Sequence, residues 1–208
     1  MIRNTANVFG NLALLMLAVL YMPFAPDAAA AQSATNESAP ATPNKKSSAP
    51  NMSDAEKVAL AMSAGPAEIA KNATVIGMKS MKQLREGSNG WVCYASSGQP
   101  MCLDKQWQAW AKAWMNKSEP KIEGTGIAYM LRGDNGASNV DPYATKPTAD
   151  NQWVVSPAHL MVLFQDQKML DSYPTDPMSG GPWVMYKGTP YAHLMVPASI
   201  TKAAKMPK

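Results

Sequence analysis

The sequence predicts an α+β fold, in which a mainly antiparallel β-sheet of hairpins carries a tryptophan-rich helix on one face. Short runs of β-branched and aromatic residues alternate with turns rich in Gly, Pro, Asn and Ser. The pentapeptide Ala-His-Leu-Met-Val occurs twice, at residues 158–162 and 192–196. One segment, residues 105–116, has tryptophans at the spacing of a single helix face. A composition of 46% hydrophobic and 16% charged residues indicates a globular domain.

The first 31 residues have the order of a secretory signal peptide. A start with one arginine and no acid precedes an apolar run at residues 12–22, and alanines at 28–31 precede Gln32. The apolar run has 11 residues, whereas a membrane span needs about 20. The pattern therefore predicts export, cleavage near Gln32 and no stable membrane anchor afterwards. An uncleaved anchor is the alternative.

Composition divides the remainder of the chain into three parts. Residues 32–52 are rich in Ser, Ala, Thr, Asn and Pro, which predicts a disordered linker. Residues 53–198 are long enough for a single domain with its own core, and residues 199–208 form a basic tail. The net charge is +4, but the whole chain has only three arginines, so a nucleic-acid partner is not expected.

The domain begins with local signals for a helix and a strand. Ser53 and Glu56 have the spacing of a capping box, which predicts that a helix starts after Ser53. Residues 74–78 follow as a strand, and residues 91–94 form another strand after a Gly-Ser-Asn-Gly turn.

Cys93 and Cys102 are the only cysteines. In an exported protein, an even count at this spacing predicts one structural disulfide. A redox or metal-binding pair is the alternative, but it would favour a shorter C-x-x-C spacing and further ligands nearby.

The tryptophan helix has a clear apolar face. Asp104 can cap residues 105–116, and Trp107, Trp110 and Trp114 recur at helical spacing on one side. Such a stripe could stack on sugars or lie at a membrane interface. We expect instead that it packs against the sheet, next to the disulfide.

A long polar loop at residues 133–152 follows the core strand 127–131. Loops of this length in compact domains are often functional. Its side-chain oxygens suit a hard cation but miss the spacing of an EF-hand. Calcium is therefore a minor alternative for the loop residues Asp134, Asn135, Ser138, Asn139 and Asp141.

The repeated pentapeptide predicts two related hairpins. Each copy follows a Trp-Val pair and a proline-containing turn. The predicted strands of this region are residues 153–155, 159–164, 183–186 and 191–196.

Each pentapeptide places a histidine and a methionine on the same face of its strand. The candidate metal ligands are His159, Met161, His193 and Met195. Imidazole and thioether together suit Cu(I), so copper is the alternative cofactor to none. The competing interpretation is structural, with methionines that fill the core and histidines fixed by backbone hydrogen bonds.

Enzyme signatures are weak. The sequence has no G-x-S-x-G, H-E-x-x-H, P-loop or G-x-G-x-x-G pattern. A hydrolase site could combine a serine, a histidine and an aspartate, but a chain of this length offers such sets by chance. The candidates are Ser156 or Ser179, His159 or His193, and Asp150 or Asp176.

Several short stretches resemble a family of uncharacterised exported bacterial proteins. They are residues 141–144, 149–154, 179–185 and 190–193, within a similar region that covers about residues 64–197. The resemblance implies an exported bacterial protein and no particular activity.

Together these observations predict a periplasmic or secreted protein that acts as a non-catalytic binding or interaction module. Its partner would be an envelope protein or a small ligand. Copper handling through His and Met ligands, and a secreted hydrolase, are the alternatives.

Overall fold

The computed structural model describes residues 52–198 and the strand Ala204–Lys205. The predicted signal peptide, the linker up to residue 51 and most of the basic tail lie outside these described residues. Within them, no helix is long and apolar enough to cross a membrane.

The α+β prediction is confirmed, with an eight-stranded sheet as the main element. Its strand order is β2-β1-β3-β4-β5-β8-β10-β9, and every pair is antiparallel except β1 with β3. A second sheet of three short strands has the order β11-β7-β6. The strands are β1 Thr74–Gly77, β2 Lys82–Arg85, β3 Val92–Ala95, β4 Met101–Leu103, β5 Gly126–Met130, β6 Ala137–Ser138, β7 Trp153–Val155, β8 His159–Leu163, β9 Trp183–Met185, β10 His193–Pro197 and β11 Ala204–Lys205.

Three α-helices and one 3₁₀ helix cover the main sheet. Helix α1, Asp54–Met62, begins at the predicted capping box of Ser53 and Glu56, and α2 is the single turn Ala67–Ala70. Helix α3, Lys105–Met115, is capped by Asp104, which accepts from the backbone N–H of Trp107 at 2.9 Å. The 3₁₀ helix is Gln167–Leu170.

The predicted disulfide between Cys93 and Cys102 is present. The two residues face each other across β3 and β4 with Cα atoms 4.0 Å apart. The segment between them is therefore a tight hairpin turn. Both cysteines are buried beneath α1 and α2, in a core cluster of small side chains.

The tryptophan helix packs on the sheet as predicted, but its three tryptophans are not equivalent. Trp107 is only 2% exposed and donates its indole N–H to the carbonyl of Met161 at 3.2 Å. Trp110 and Trp114 are half-buried and pack at the edge of the same core cluster. Trp114 donates to the carbonyl of Pro142 at 2.9 Å, which ties the long loop to α3.

One of the two predicted hairpins is wrong. Strands β9 and β10 pair as expected, but β7 pairs with β6 and β11 in the smaller sheet and not with β8. The reason lies in the connection between them. Ser156 exchanges two hydrogen bonds with Asp134, one through its backbone N–H to the carboxylate and one through its carbonyl. These bonds occupy the backbone that a β7–β8 hairpin would need.

The two pentapeptide copies are instead direct neighbours. Strands β8 and β10 pair antiparallel, with Met161 opposite Met195 and His159 opposite Pro197. The repeat therefore forms the centre of one half of the main sheet.

Candidate functional site

The predicted metal ligands lie on one side of the β8–β10 pair, which we call the histidine face. It consists of His159, Met161, His193 and Met195. Met161, Met195 and His193 pack against the tryptophans of α3. Directly opposite residues of an antiparallel pair share a face, so the register brings the two methionines together.

The same register keeps the two histidines apart. His159 and His193 are offset by four strand positions, which is about 13 Å at about 3.3 Å per residue. Each ring Nδ1 is bonded to the carbonyl two residues earlier, Pro157 at 2.7 Å and Tyr191 at 3.0 Å. Because the strands are antiparallel, these bonds draw the rings towards opposite ends of the pair. Met161 and Met195 therefore lie side by side, whereas the two imidazoles do not converge on one position.

In each histidine, one ring nitrogen makes a hydrogen bond and the other has no hydrogen-bond partner. An Nδ1–H that donates to a carbonyl leaves Nε2 as the unprotonated nitrogen of a neutral imidazole. Both Nε2 atoms are buried without a hydrogen-bond partner, as are Trp110 Nε1 and Ser156 Oγ, among the side chains that the structure describes. Residues 52–198 contain no group of three His, Cys, Asp or Glu side chains that could hold a metal ion.

His159 lies near the half-buried carboxylate of Asp134. Asp134 accepts from the N–H groups of Gly136 at 2.9 Å and Ser156 at 3.0 Å, while burial raises the pKa of its carboxyl. Burial lowers the pKa of His159, against the opposing effects of the bond to Pro157 and the charge of Asp134. Partial removal from water thus disfavours the charged form of Asp134, and burial disfavours the charged form of His159.

His193 has an aromatic environment. Trp107, Trp110 and Tyr186 surround its ring in edge-to-face geometry, with centroids 5.1 to 5.7 Å away. Burial lowers the pKa of His193 to about 4, and the charge of His159 acts in the same direction. His193 is therefore neutral at physiological pH.

The hydrolase candidates do not assemble into a hydrogen-bonded site. Ser156 Oγ and both imidazole Nε2 atoms have no hydrogen-bond partner, so Ser156 is not bonded to either histidine through these atoms. Ser179 and Asp176 are exposed in the loop before β9. Asp150 is exposed in the long loop, away from any hydrogen bond to a histidine in the described region.

A pocket lies outside the histidine face, between β7 and the loop before β9. We call it the β7 pocket, and its volume is about 320 Å³. Gln152, Thr175 and Asp176 are exposed, so the pocket faces solvent. Ligand sites generally combine apolar walls with a few polar groups, and this one has both. Its lining consists of Gln152, Trp153, Val154, Thr175, Asp176, Pro177 and Met178.

One buried side chain holds both walls of the β7 pocket. Asn139 is 2% exposed, and its amide donates to Gln152 Oε1 at 3.0 Å and to the carbonyl of Thr175 at 2.9 Å. Its carbonyl oxygen accepts from the indole N–H of Trp183 at 3.2 Å. The pocket walls are thus fixed to the main sheet before any ligand arrives.

The polar loop that suggested calcium uses its oxygens for internal bonds. Ser138 Oγ donates to the carbonyl of Asn151 at 2.7 Å and accepts from the N–H groups of Val140 and Asp141. The sequence indicated Asn139 only as a candidate calcium ligand, and nothing in the sequence indicated that Asn139 joins Gln152 to Thr175.

Comparison with known proteins gives no match. The chain matches no protein-family model, no curated protein and no solved structure. The resemblance to exported bacterial proteins stays a prediction.

Proposed function

We propose that the protein is a non-catalytic binding module of the cell envelope that holds an envelope protein or a small ligand in the β7 pocket. The observation that carries this proposal is the fixation of both pocket walls by Asn139. A preformed, partly apolar cavity loses little conformational entropy when it binds a ligand.

The histidine environments support a non-catalytic role. His159 and His193 are 1% and 2% exposed, and burial lowers the pKa of both. A general base must come within hydrogen-bond reach of its substrate. Side chains as buried as these two imidazoles do not meet that requirement in this conformation.

The disulfide supports an oxidising compartment, since such bonds are rare in reducing ones. Combined with the signal-peptide pattern, it favours a periplasmic or secreted protein. We expect the exported form to begin near Gln32, which mass spectrometry of the purified mature protein would show. An intact Met1 in that material would contradict the proposed export.

Ligand screening by NMR tests the pocket directly. A library of small organic fragments should shift the backbone signals of Gln152, Trp153 and Met178 in the mature protein. The variant Met178→Trp fills the pocket and should abolish these shifts. The matched control is Met169→Trp, because Met169 is 56% exposed on the 3₁₀ helix. Fragment binding that survives in Met178→Trp, or an absence of binding in all three proteins, would refute the proposal.

Copper handling through His159, Met161, His193 and Met195 is a second candidate. The observation that favours it is the pair of Nε2 atoms left bare while each Nδ1 is fixed on a carbonyl, as in metal-binding histidines. The four-position offset favours an ion bound by one imidazole and nearby thioethers. Apo-protein that takes up no Cu(I) against a weak chelator would eliminate this candidate.

A further inference from the structure

We propose that the histidine face belongs to two equivalent sites for Cu(I), each built from one imidazole and two thioethers. Two of the four thioethers belong to methionines outside the repeated pentapeptide, on the strands that flank the β8–β10 pair. The inference rests on copper handling, the second candidate function, and it is independent of the β7 pocket. The two sets, which we call the β8 set and the β10 set, are His159 with Met130 and Met161, and His193 with Met185 and Met195.

The strand register gives each histidine a methionine on an outer neighbouring strand. On β5, Met130 lies directly opposite His159. On β9, Met185 lies directly opposite His193. Directly opposite residues share a face of the sheet, with Cβ atoms about 4.5 to 5.5 Å apart. Each imidazole therefore has a thioether side chain as its immediate neighbour.

The second methionine of each set comes from the pentapeptide. Met161 and Met195 follow their histidines by two positions, which is about 6.6 Å along the strand and on the same face. They also lie directly opposite each other, so a local twofold axis between β8 and β10 exchanges the two sets. Because β5 and β9 supply equivalent methionines, the internal symmetry extends beyond the five identical residues.

Each imidazole has one nitrogen available as a ligand. In both histidines Nδ1 is bonded to a backbone carbonyl, while Nε2 is buried without a partner among the described residues. Histidines that bind metals are oriented in this manner by a bond from the second ring nitrogen. The pKa of His193 is lowered to about 4, so at neutral pH no proton has to leave its Nε2.

The ligand chemistry favours a soft monovalent ion. Thioether and imidazole suit Cu(I), whereas Zn²⁺ prefers thiolate, imidazole and carboxylate ligands. Both sets consist of neutral side chains that are at most 8% exposed. Burial of an ion is costly unless its charge is compensated, so a single charge is better tolerated than a double one.

Each set has a neighbour that can offset the single charge. The carboxylate of Asp134 lies close enough to interact with a charge at His159. Trp107 and Trp110 lie against the ring of His193, with centroids 5.1 and 5.7 Å away, and the faces of indole rings attract cations. Because the sets are buried, uptake requires a local opening of the core and should be slow.

The test counts the Cu(I) ions that the mature protein takes up in an anaerobic titration against a weak chromophoric chelator. Wild type should bind two ions. Loss of a partner that only orients a ligand already weakens metal binding by about 10-fold to 100-fold. The ligand substitutions Met130→Leu and Met185→Leu should therefore each weaken one of the two sites by at least about tenfold.

The matched control is Met101→Leu, because Met101 is a half-buried methionine that packs on the same core cluster but belongs to neither set. It should bind two ions with the affinity of wild type. Leucine has nearly the volume of methionine, so all three variants should fold.

A second measurement observes the ligands in wild-type protein. Ag(I) is a soft ion of the same charge that is stable in air. In protein labelled with ¹³C at the methionine methyls and assigned through single Met→Leu variants, Ag(I) should shift the methyl signals of both sets more than that of Met101.

The outcomes separate this inference from the copper candidate. Uptake of a single Cu(I), or wild-type affinity in Met130→Leu and Met185→Leu, would overturn the two-site inference and leave copper handling by the pentapeptide ligands in place. If wild type takes up neither Cu(I) nor Ag(I), both fail. Fragment binding to the β7 pocket is unaffected by either result.

Discussion

The histidine face and the β7 pocket differ both in the side chains that they contain and in their exposure to solvent. The histidine face carries imidazoles and thioethers, and Trp107 and Trp110 of α3 pack against its His193 end. The β7 pocket is lined by neutral and apolar side chains plus one carboxylate, and it faces solvent. The two imidazoles are therefore buried, while the accessible cavity has the composition of a binding site.

Among the changes considered, the substitution Trp107→Ala in α3 should have the largest effect on the stability of the protein. Trp107→Ala deletes a buried indole and its bond to the carbonyl of Met161. We expect it to lower the free energy of unfolding by about 3 to 5 kcal/mol, as measured by urea denaturation. Met169→Ala, at an exposed position, should change it by less than about 0.5 kcal/mol. A similarly small change for Trp107→Ala would mean that α3 does not close the histidine face.

Acid should destabilise the protein through His193. Its folded pKa of about 4 lies below the ordinary 6.5, so the unfolded chain takes up the proton first as the pH falls. The stabilisation is complete above pH 6.5 and is lost as the pH falls towards 4, by about 3 kcal/mol in total at about 1.4 kcal/mol per pK unit. His159 acts in the same direction, whereas the raised pKa of Asp134 acts in the opposite one.

The variant His193→Phe isolates this effect. It loses the bond to the carbonyl of Tyr191, so it should be less stable at pH 7 by about 1 kcal/mol. Its unfolding free energy should nevertheless vary less steeply between pH 6.5 and 4 than that of wild type. An unchanged slope in denaturant titrations would show that His193 ionises freely in the folded protein.

Reduction of the disulfide should cost about 2 to 3 kcal/mol, because the bond closes a short loop of the unfolded chain. Cys93 and Cys102 lie on β3 and β4, whereas the pocket is built on β7. Fragment binding to the β7 pocket should therefore persist in the reduced, folded protein. Two free thiols in unreduced, denatured protein would contradict the bond itself.

The smallest effect on stability is expected for a substitution in the wall of the β7 pocket. Gln152→Ala removes one of the two acceptors of the Asn139 amide and should cost about 0.5 to 1.5 kcal/mol of stability. It should also weaken fragment binding, since the wall loses its link to Asn139. Gln165→Ala, at another exposed glutamine, serves as the control. Equal fragment affinities in the two variants would show that Asn139 does not hold the wall.

Local signals predicted much of the fold. The caps at Ser53 and Asp104, the disulfide and the β9–β10 hairpin depend on residues close together in the sequence, and all are present. The failure of β7 to pair with β8 depends on the hydrogen bond between Ser156 and Asp134, which lies more than 20 residues earlier in the chain. No periodic pattern encodes such a distant bond.

The candidate site was less predictable than the fold. The pentapeptide indicated that His159 and His193 share a face, and the structure places them so. The burial of His193 depends on Trp107 and Trp110 of α3, about 80 residues earlier in the chain. The β7 pocket depends on Asn139, Gln152 and Thr175, which are ordinary polar residues whose meeting requires the tertiary fold.

Chemical modification of the two histidines tests the difference between the two regions most directly. The chain contains only these two histidines, so diethylpyrocarbonate labelling followed by peptide mass spectrometry reports on both. At neutral pH, we expect the imidazoles of His159 and His193 to stay unmodified in the native protein and to react fully in denaturant. Rapid modification of either histidine in the native protein would show that the histidine face is open, and would contradict a binding module that acts through the β7 pocket alone.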